Sequence, residues 1–215
     1  MVLKLHGSPL SACTRRAAMV LKEKNVPYEL VLVDLSKGEH KAAAYTAVQP
    51  FGQVPYIVDD DGFTLYESRA IARYIAVKYA AQGEKLLPPL TDLHALAKFE
   101  QAASIELTNF EPFAHGIAAE RVFKPRGGGV TDEKLVADYV ASLKSKLDVY
   151  DVILSKSKYL AGDELTLADL FHVPYGPALK LAGVDVLEDP SRPNVLRWWK
   201  EISSRPSWLA LKDGE

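Results

Sequence analysis

The feature that most constrains this chain is a change of pattern at Gln82-Gly83-Glu84-Lys85-Leu86-Leu87-Pro88-Pro89. Before it, strand-like and helix-like runs alternate; beyond it the apolar residues recur at helical spacing and no convincing strand follows. A chain patterned this way is expected to fold as an α/β unit followed by an all-α unit. Val2 to Leu5 reads as a strand ending at Gly7-Ser8-Pro9, and a helix follows from about Ser11 to Lys24. Tyr28 to Asp34 is a β-branched, apolar run suited to a largely buried strand. A polar stretch with Lys37, His40 and Lys41 precedes a short helix over Ala42 to Ala47, and Pro50-Phe51-Gly52-Gln53 marks a loop. Val54 to Val58 and Phe63 to Tyr66 flank Asp59-Asp60-Asp61-Gly62, a hairpin whose glycine supplies a positive φ. Another helix runs from Ser68 to about Ala81. The predicted order is βαβαββα with a mixed sheet over 1–82, a linker over 83–91 and an all-helical domain over 92–215.

In the second half, Leu93 to Ala119 predicts one long helix with Pro112 and Gly116 as bend points. Phe123-Lys124-Pro125-Arg126 and the glycines 127–129 make an exposed loop, and Thr131–Leu154, Thr166–Ala182 and Arg192–Ser204 supply three further helices. Thr166-Leu167-Ala168-Asp169 has the form of a reciprocal N-terminal cap, threonine capping with an aspartate three residues on.

Composition then removes whole classes of function. With 26 lysines and arginines against 28 acids the net charge is -2, so a nucleic-acid partner is not expected. The single cysteine, Cys13, allows no intrachain disulfide and no multi-cysteine zinc site, and no metal is expected. The start lacks the apolar run of a signal peptide and no stretch reaches membrane-spanning length, so the expectation is a cytoplasmic protein with no membrane partner.

Helix N-termini gather anionic and thiolate ligands, because their amides lack partners and the dipole is positive there. Ser11 sits at such a position, where it or Thr14 also serves as an ordinary N-cap. The same domain offers a Val54-Pro55 pair and a Glu67-Ser68 pair at the mouth of a helix, a set of groups able to cradle a peptide.

At these residues the sequence resembles the glutathione S-transferases, most closely their phi class. Ser8-Pro9-Leu10-Ser11-Ala12-Cys13-Thr14-Arg15-Arg16 is similar to the family's catalytic serine loop, Gly38-Glu39-His40-Lys41 to its glycine-carboxylate site, and Pro50-Phe51-Gly52-Gln53-Val54-Pro55 to its peptide-binding turn. Glu67-Ser68-Arg69-Ala70-Ile71 resembles the γ-glutamyl site, and Leu165-Thr166-Leu167-Ala168-Asp169 a structural signature of the helical half. The resemblance implies a thioredoxin-like first domain, a homodimer, glutathione as cosubstrate with no permanently bound cofactor, conjugation to small hydrophobic electrophiles, and in some members reduction of organic hydroperoxides by the same thiolate.

The chemistry agrees residue by residue. A free thiol, with a pKa of about 8.5, is mostly protonated at neutral pH, so the anion must be favoured. Each pKa unit needs about 1.4 kcal/mol, and one or two charge-assisted hydrogen bonds from Ser11 and its helix, at about 1.5 to 3 kcal/mol each, are the right size. His40 and Lys41 would meet the glycyl carboxylate, with lysine the stronger partner because histidine is only partly charged. Val54 would pair its backbone with the cysteinyl unit as an added strand does, and Gln53 would offer amide hydrogen bonds. The sequence alone favours a trans Pro55 bond; the resemblance implies cis. Glu67 would pair with the γ-glutamyl ammonium and Ser68 with its carboxylate.

The resemblance also implies an electrophile pocket lined by Leu10, Ala12 and Leu35 from the first domain and Phe113, Ile117, Phe123 and Tyr175 from the second, although core packing explains several of these equally well. Phe51, an apolar residue on a surface loop, reads as a key for a partner subunit. Arg15 and Arg16 read as helix-surface or interdomain charges. Two alternatives stand: a non-catalytic ligand carrier of the same fold, and a thiol transferase acting through Cys13. Against the second, the resemblance places the working thiol of cysteine-type relatives five residues before Arg16, where this chain has Ser11.

Overall fold

The computed structural model describes residues 2–211. The described chain divides into two compact units, one gathering residues 2–87 and 206–211, the other Pro88–Arg205.

The first unit opens with β1 (Leu3–Gly7), α1 (Ala12–Glu23) and β2 (Tyr28–Leu32). β1 and β2 are parallel, in register from Leu3 opposite Tyr28 to Gly7 opposite Leu32, and parallel neighbours require a crossover such as α1. A 3-10 turn (Glu39–Lys41) and α2 (Ala43–Thr46) lead to β3 (Tyr56–Val58), β4 (Thr64–Tyr66) and α3 (Ser68–Lys78). The strand order is β2-β1-β3-β4, with β3 antiparallel to both β1 and β4. The predicted hairpin turns through Gly62 at φ 89, a conformation that glycine adopts without steric cost. Leu5, Val20, Leu21, Ile57, Ile71 and Ile75 are fully buried and form the centre of this unit.

Two expectations change here. The run Tyr28 to Asp34 is not a buried strand: β2 is the sheet edge, with a single neighbour, and Glu29 and Leu32 lie exposed. Residues 83–87 do not behave as linker. Lys24 donates to the Glu84 carbonyl at 2.8 Å and Gln82 to the Lys24 carbonyl at 2.7 Å, which ties this segment to the end of α1.

In the helical unit, α4 (Leu93–Asn109) is capped by Asp92, and α5 (Glu111–Ala118) begins after a break at Phe110 (φ -120, ψ -59). Pro112 thus stands in the first turn of a new helix, where its missing N–H is not needed, instead of bending a continuous one. Gly116 is a contact and not a bend: a Cβ there would lie 2.5 Å from the Tyr139 ring. A π turn (Ala119–Phe123) and α6 (Lys124–Arg126) precede the exposed glycines, and α7 (Glu133–Leu154) is capped by Asp132. The segment expected as one helix over Thr166–Ala182 is α8 (Leu167–Leu170), a 3-10 turn (Val173–Tyr175) and α9 (Gly176–Leu181), because Pro174 and Pro177 each open a new turn. The reciprocal cap forms as predicted, and the buried Asp169 also accepts from Leu160 N at 3.0 Å and Trp198 Nε1 at 2.9 Å. α10 (Pro193–Ser203) completes this unit; α11 (Pro206–Leu209), absent from the sequence reading, belongs to the first, where Ser207 hydrogen-bonds Glu23.

Candidate active site

Strand register decides which segments meet. Gly7 at the end of β1 lies opposite Leu32 at the end of β2, His6 lies opposite Tyr56 at the start of β3, and Tyr56 lies opposite Tyr66 at the end of β4. The chain leaving β1 toward Ser11, leaving β2 toward Lys41, entering β3 through Val54-Pro55 and leaving β4 into Glu67-Ser68 therefore lies at one and the same end of the strands. Residues far apart in sequence are brought together there by backbone pairing alone.

Ser11 is the N-cap of α1, in extended conformation (φ -78, ψ 127), and its Oγ accepts from Thr14 N at 3.3 Å. A hydroxyl has one proton and two acceptor sites, so the cap consumes an acceptor and leaves the proton to donate. The two readings of Ser11 are thus compatible. Its loop is stapled from the helix itself: Thr14 Oγ1 accepts from Ser8 N at 3.3 Å, and Arg15 Nε donates to the Pro9 carbonyl at 2.6 Å. Close approach at Gly7, where a Cβ would sit 2.6 Å from Thr14, lets the strand turn directly into the helix.

The His40-Lys41 segment and the Pro50–Pro55 turn touch. Lys41 Nζ donates to the Phe51 carbonyl at 3.3 Å, and Gly52 (φ 58) approaches so closely that a Cβ would lie 2.8 Å from the His40 carbonyl oxygen. Asp34 accepts from Ser36 Oγ and N and from Lys37 N and pairs with Lys37 Nζ at 3.2 Å; it organises the loop leading there, and the Ser36 hydroxyl and Lys37 ammonium above all hold its carboxyl down at about 2. His40 Nδ1 is shielded from solvent with no hydrogen-bond partner among the described residues.

Behind the turn, buried Gln49 accepts from Gln53 N at 3.1 Å and Tyr45 donates to the Gln53 carbonyl at 2.8 Å. Burial pushes the Tyr45 phenol well above its usual range, which keeps it a neutral donor. These bonds leave the Gln53 side chain exposed, and the Val54–Pro55 peptide is cis. Val54 packs against Val33, Tyr45 and Tyr56.

Glu67, the residue before α3, has φ 71 and ψ 107, which costs a non-glycine residue about 1 to 3 kcal/mol. The cost is borne at the point where the first amides of an eleven-residue helix lack intrahelical partners. Ser68 is buried, and its Oγ accepts from Arg16 Nη1 at 2.8 Å. Arg16 is itself 1% exposed, so the helix-surface reading of this arginine is corrected. Gln49, Tyr45 and Arg16 shape these loops through contacts that the sequence does not signal.

The expected pocket residues divide. Leu10 and Leu35 are exposed, Ala12 and Phe113 half-buried and Phe123 exposed, so each presents surface. Ile117 is fully buried, and Tyr175 is buried with its hydroxyl donating to Glu111 Oε1 at 3.1 Å. Both are core residues, satisfied where they lie. Phe51 is 65% exposed at the tip of its turn, its ring edge-on to Tyr66. Cys13 is a free thiol, half-buried, with Arg16 Nη1 3.7 Å from its sulfur.

Comparison with known proteins matches residues 10–78 to the glutathione S-transferase N-terminal domain and residues 110–206 to the glutathione S-transferase C-terminal domain. Glutathione S-transferase PM239X14 of Arabidopsis thaliana is 48% identical over 92% of this chain and 89% of its own. Among solved structures, glutathione transferase F7 from Populus trichocarpa superposes with a TM-score of 0.92 at 40% identity, covering 99% of both chains. Glutathione S-transferase I from Mais, in complex with an atrazine glutathione conjugate, superposes with a TM-score of 0.88 at 34% identity over 100% of this chain and 98% of that one.

Proposed function

The chain belongs to the glutathione S-transferase family, in its phi class, and on that premise we propose that Ser11 holds the glutathione sulfur as a thiolate for attack on small hydrophobic electrophiles. The enzyme is a glutathione transferase. The observation that carries the serine assignment is the Ser11 hydroxyl at the head of α1, with its acceptor side used by Thr14 N and its proton left for an anion.

The remaining groups find partners along the tripeptide. Lys41 and His40 suit the glycyl carboxylate. Val54 pairs its backbone with the cysteinyl unit and Gln53 supplies an exposed amide, while Glu67 takes the γ-glutamyl ammonium and Ser68, with the first amides of α3, its carboxylate. In a substitution the thiolate pair forms the new carbon–sulfur bond and the leaving group departs with the pair of the bond that breaks; in an addition the π pair of the activated double bond shifts onto its electron-withdrawing group, and the resulting carbanion takes a proton from solvent. The Mais relative carries an atrazine glutathione conjugate, and here Leu10, Ala12 and Leu35 of the first unit and, separately, Phe113 and Phe123 of the second present apolar surface suited to a hydrophobic electrophile. The exposed Phe51 supports a homodimer, and a cytoplasmic enzyme fits a chain in which no helix of the described residues is long and apolar enough to cross a membrane.

Ultraviolet thiolate absorbance of bound glutathione, titrated in the parent, Ser11→Ala and Cys13→Ser, tests the reading. The bound thiol is expected about two units below the free value in the parent and in Cys13→Ser, and close to it in Ser11→Ala. An unshifted thiol in the parent overturns the serine mechanism; a shift lost only in Cys13→Ser assigns the chemistry to the cysteine.

A further inference from the structure

We infer that Arg16 is a positioning residue for glutathione, acting through Ser68: its buried guanidinium fixes the Ser68 hydroxyl as a donor toward the γ-glutamyl carboxylate. The inference rests on the glutathione reading of Ser68 given above and adds a residue to which the motifs assign no ligand role. Arg16 is 1% exposed and Ser68 6%, and Nη1 lies 2.8 Å from Ser68 Oγ. The same nitrogen lies 3.7 Å from Cys13 Sγ, so the guanidinium joins α1 to the first residue of α3.

A guanidinium only donates, so Ser68 Oγ must accept from it, and the single hydroxyl proton is turned away from the arginine. Without that bond the hydroxyl is free to rotate and spend its proton elsewhere. A hydroxyl that accepts from a cation is also polarised into a stronger donor, and a charge that is never lost at physiological pH sits behind it. The first amides of α3 and this hydroxyl then form one anion-binding surface with a fixed positive group in its second layer. A lysine could keep the charge but not the direction, because an ammonium is a point charge and lacks the planar fork.

The test measures discrimination, which a purely structural arginine would leave alone. Conjugation of a chlorodinitrobenzene is followed with glutathione and with γ-aminobutyryl-cysteinyl-glycine, which lacks only the γ-glutamyl α-carboxylate. The ratio of kcat/KM for the two thiols is compared in the parent, Arg16→Lys, Arg16→Gln, Ser68→Ala and the Arg16→Lys, Ser68→Ala double variant. Arg16→Lys is expected to lower the ratio about tenfold, through KM for glutathione, with turnover of the analogue unchanged. Arg16→Gln moves it further in the same direction, and if it does not fold, Arg16→Lys decides alone. In the Ser68→Ala background the arginine substitution should change the ratio less than about twofold, because the two residues act as one unit. A parent-like ratio in Arg16→Lys, an equal loss for both thiols, or full additivity in the double variant overturns the inference. If Ser68→Ala itself leaves the ratio unchanged, the assignment of Ser68 to the carboxylate has failed, a result that the Arg16 variants cannot produce.

Discussion

Ser11 Oγ accepts a hydrogen bond from the Thr14 backbone amide at 3.3 Å, so the residue that caps α1 is also the residue assigned to the glutathione thiolate. One atom serves stability through its lone pair and chemistry through its proton. Substitution separates the two tasks. Ser11→Ala should lose about 1 kcal/mol of stability and, at near-neutral pH, about ten- to a hundredfold in kcat/KM for conjugation. Ser11→Gly should lose the same activity but only a few tenths of a kcal/mol, since glycine is a tolerable cap. Urea unfolding beside steady-state kinetics checks this, and activity that tracks stability across the pair would show that the cap alone matters.

Asp59 and Lys78 bind the hairpin turn to α3, with Lys78 Nζ 2.7 Å from Asp59 Oδ2 and Tyr74 hydrogen-bonded to the same oxygen. Burial raises this carboxyl, but the bonds from Lys78 and Tyr74 outweigh it and hold the group below its ordinary value. The half-buried Tyr74 phenol beside it is pushed up to about 12, by desolvation and by its hydrogen bond to the Asp59 carboxylate. A depressed folded-state carboxyl contributes stability that is complete above the unfolded value, about 3.9, and is lost as pH falls through the folded one. Asp59→Asn should therefore be about 2 kcal/mol less stable than the parent at pH 7, with the gap closing below about pH 4. Denaturant melts at pH 7 and pH 3 measure it; an equal gap at both is the contrary result.

Asp169 is the polar centre of the helical unit. It accepts from Thr166 N and Oγ1 and Leu160 N, each at 3.0 Å, and from Trp198 Nε1 at 2.9 Å. Asp169→Ala removes the acceptor and leaves these buried donors unpaired, which predicts a loss of about 3 kcal/mol or more. Trp198→Phe removes one donor from a carboxylate that keeps its others, and its hydrogen-bond contribution is smaller, about 1.5 kcal/mol, before any packing loss. Equilibrium unfolding ranks the two; a milder Asp169→Ala contradicts this account.

Gly116 is packed by its lack of a side chain. An alanine Cβ there would meet the Tyr139 ring at 2.5 Å, and Tyr139 pairs with Phe113, whose rings are 6.5 Å apart at their centroids. Gly116→Ala must displace that ring, at a cost of about 1 to 3 kcal/mol, and shift Phe113 with it. The expected kinetic result is an altered KM for bulky electrophiles with an unchanged KM for glutathione. Equal changes in both, or in neither, remove Phe113 from the electrophile surface.

How much of this was legible in the sequence depends on the range of the interaction. Local signals read well: the Asp59–Gly62 turn, the Thr166–Asp169 cap, the helix start at Ser11 and the loss of strands after the Gln82–Pro89 segment all depend on neighbours within a few residues. Predictions that required continuity failed where prolines restart a helix, as at Pro112, Pro174 and Pro177, because a proline in the first turn and one that bends a helix look alike in one dimension. The edge position of β2 was also hidden, since an apolar run does not say how many neighbours its strand will have.

The sequence by itself determined the two-part architecture, the family resemblance and the groups available to bind a peptide thiol, because pattern, spacing and functional-group chemistry are properties of the chain. Only the tertiary structure decided which of those groups share one end of the strands, through the pairing of His6 with Tyr56 and Tyr56 with Tyr66. It also decided that Arg16 lies buried against Ser68 and that Ile117 and Tyr175 belong to the core. Burial and hydrogen bonding between residues distant in sequence are set by packing, which no local pattern encodes.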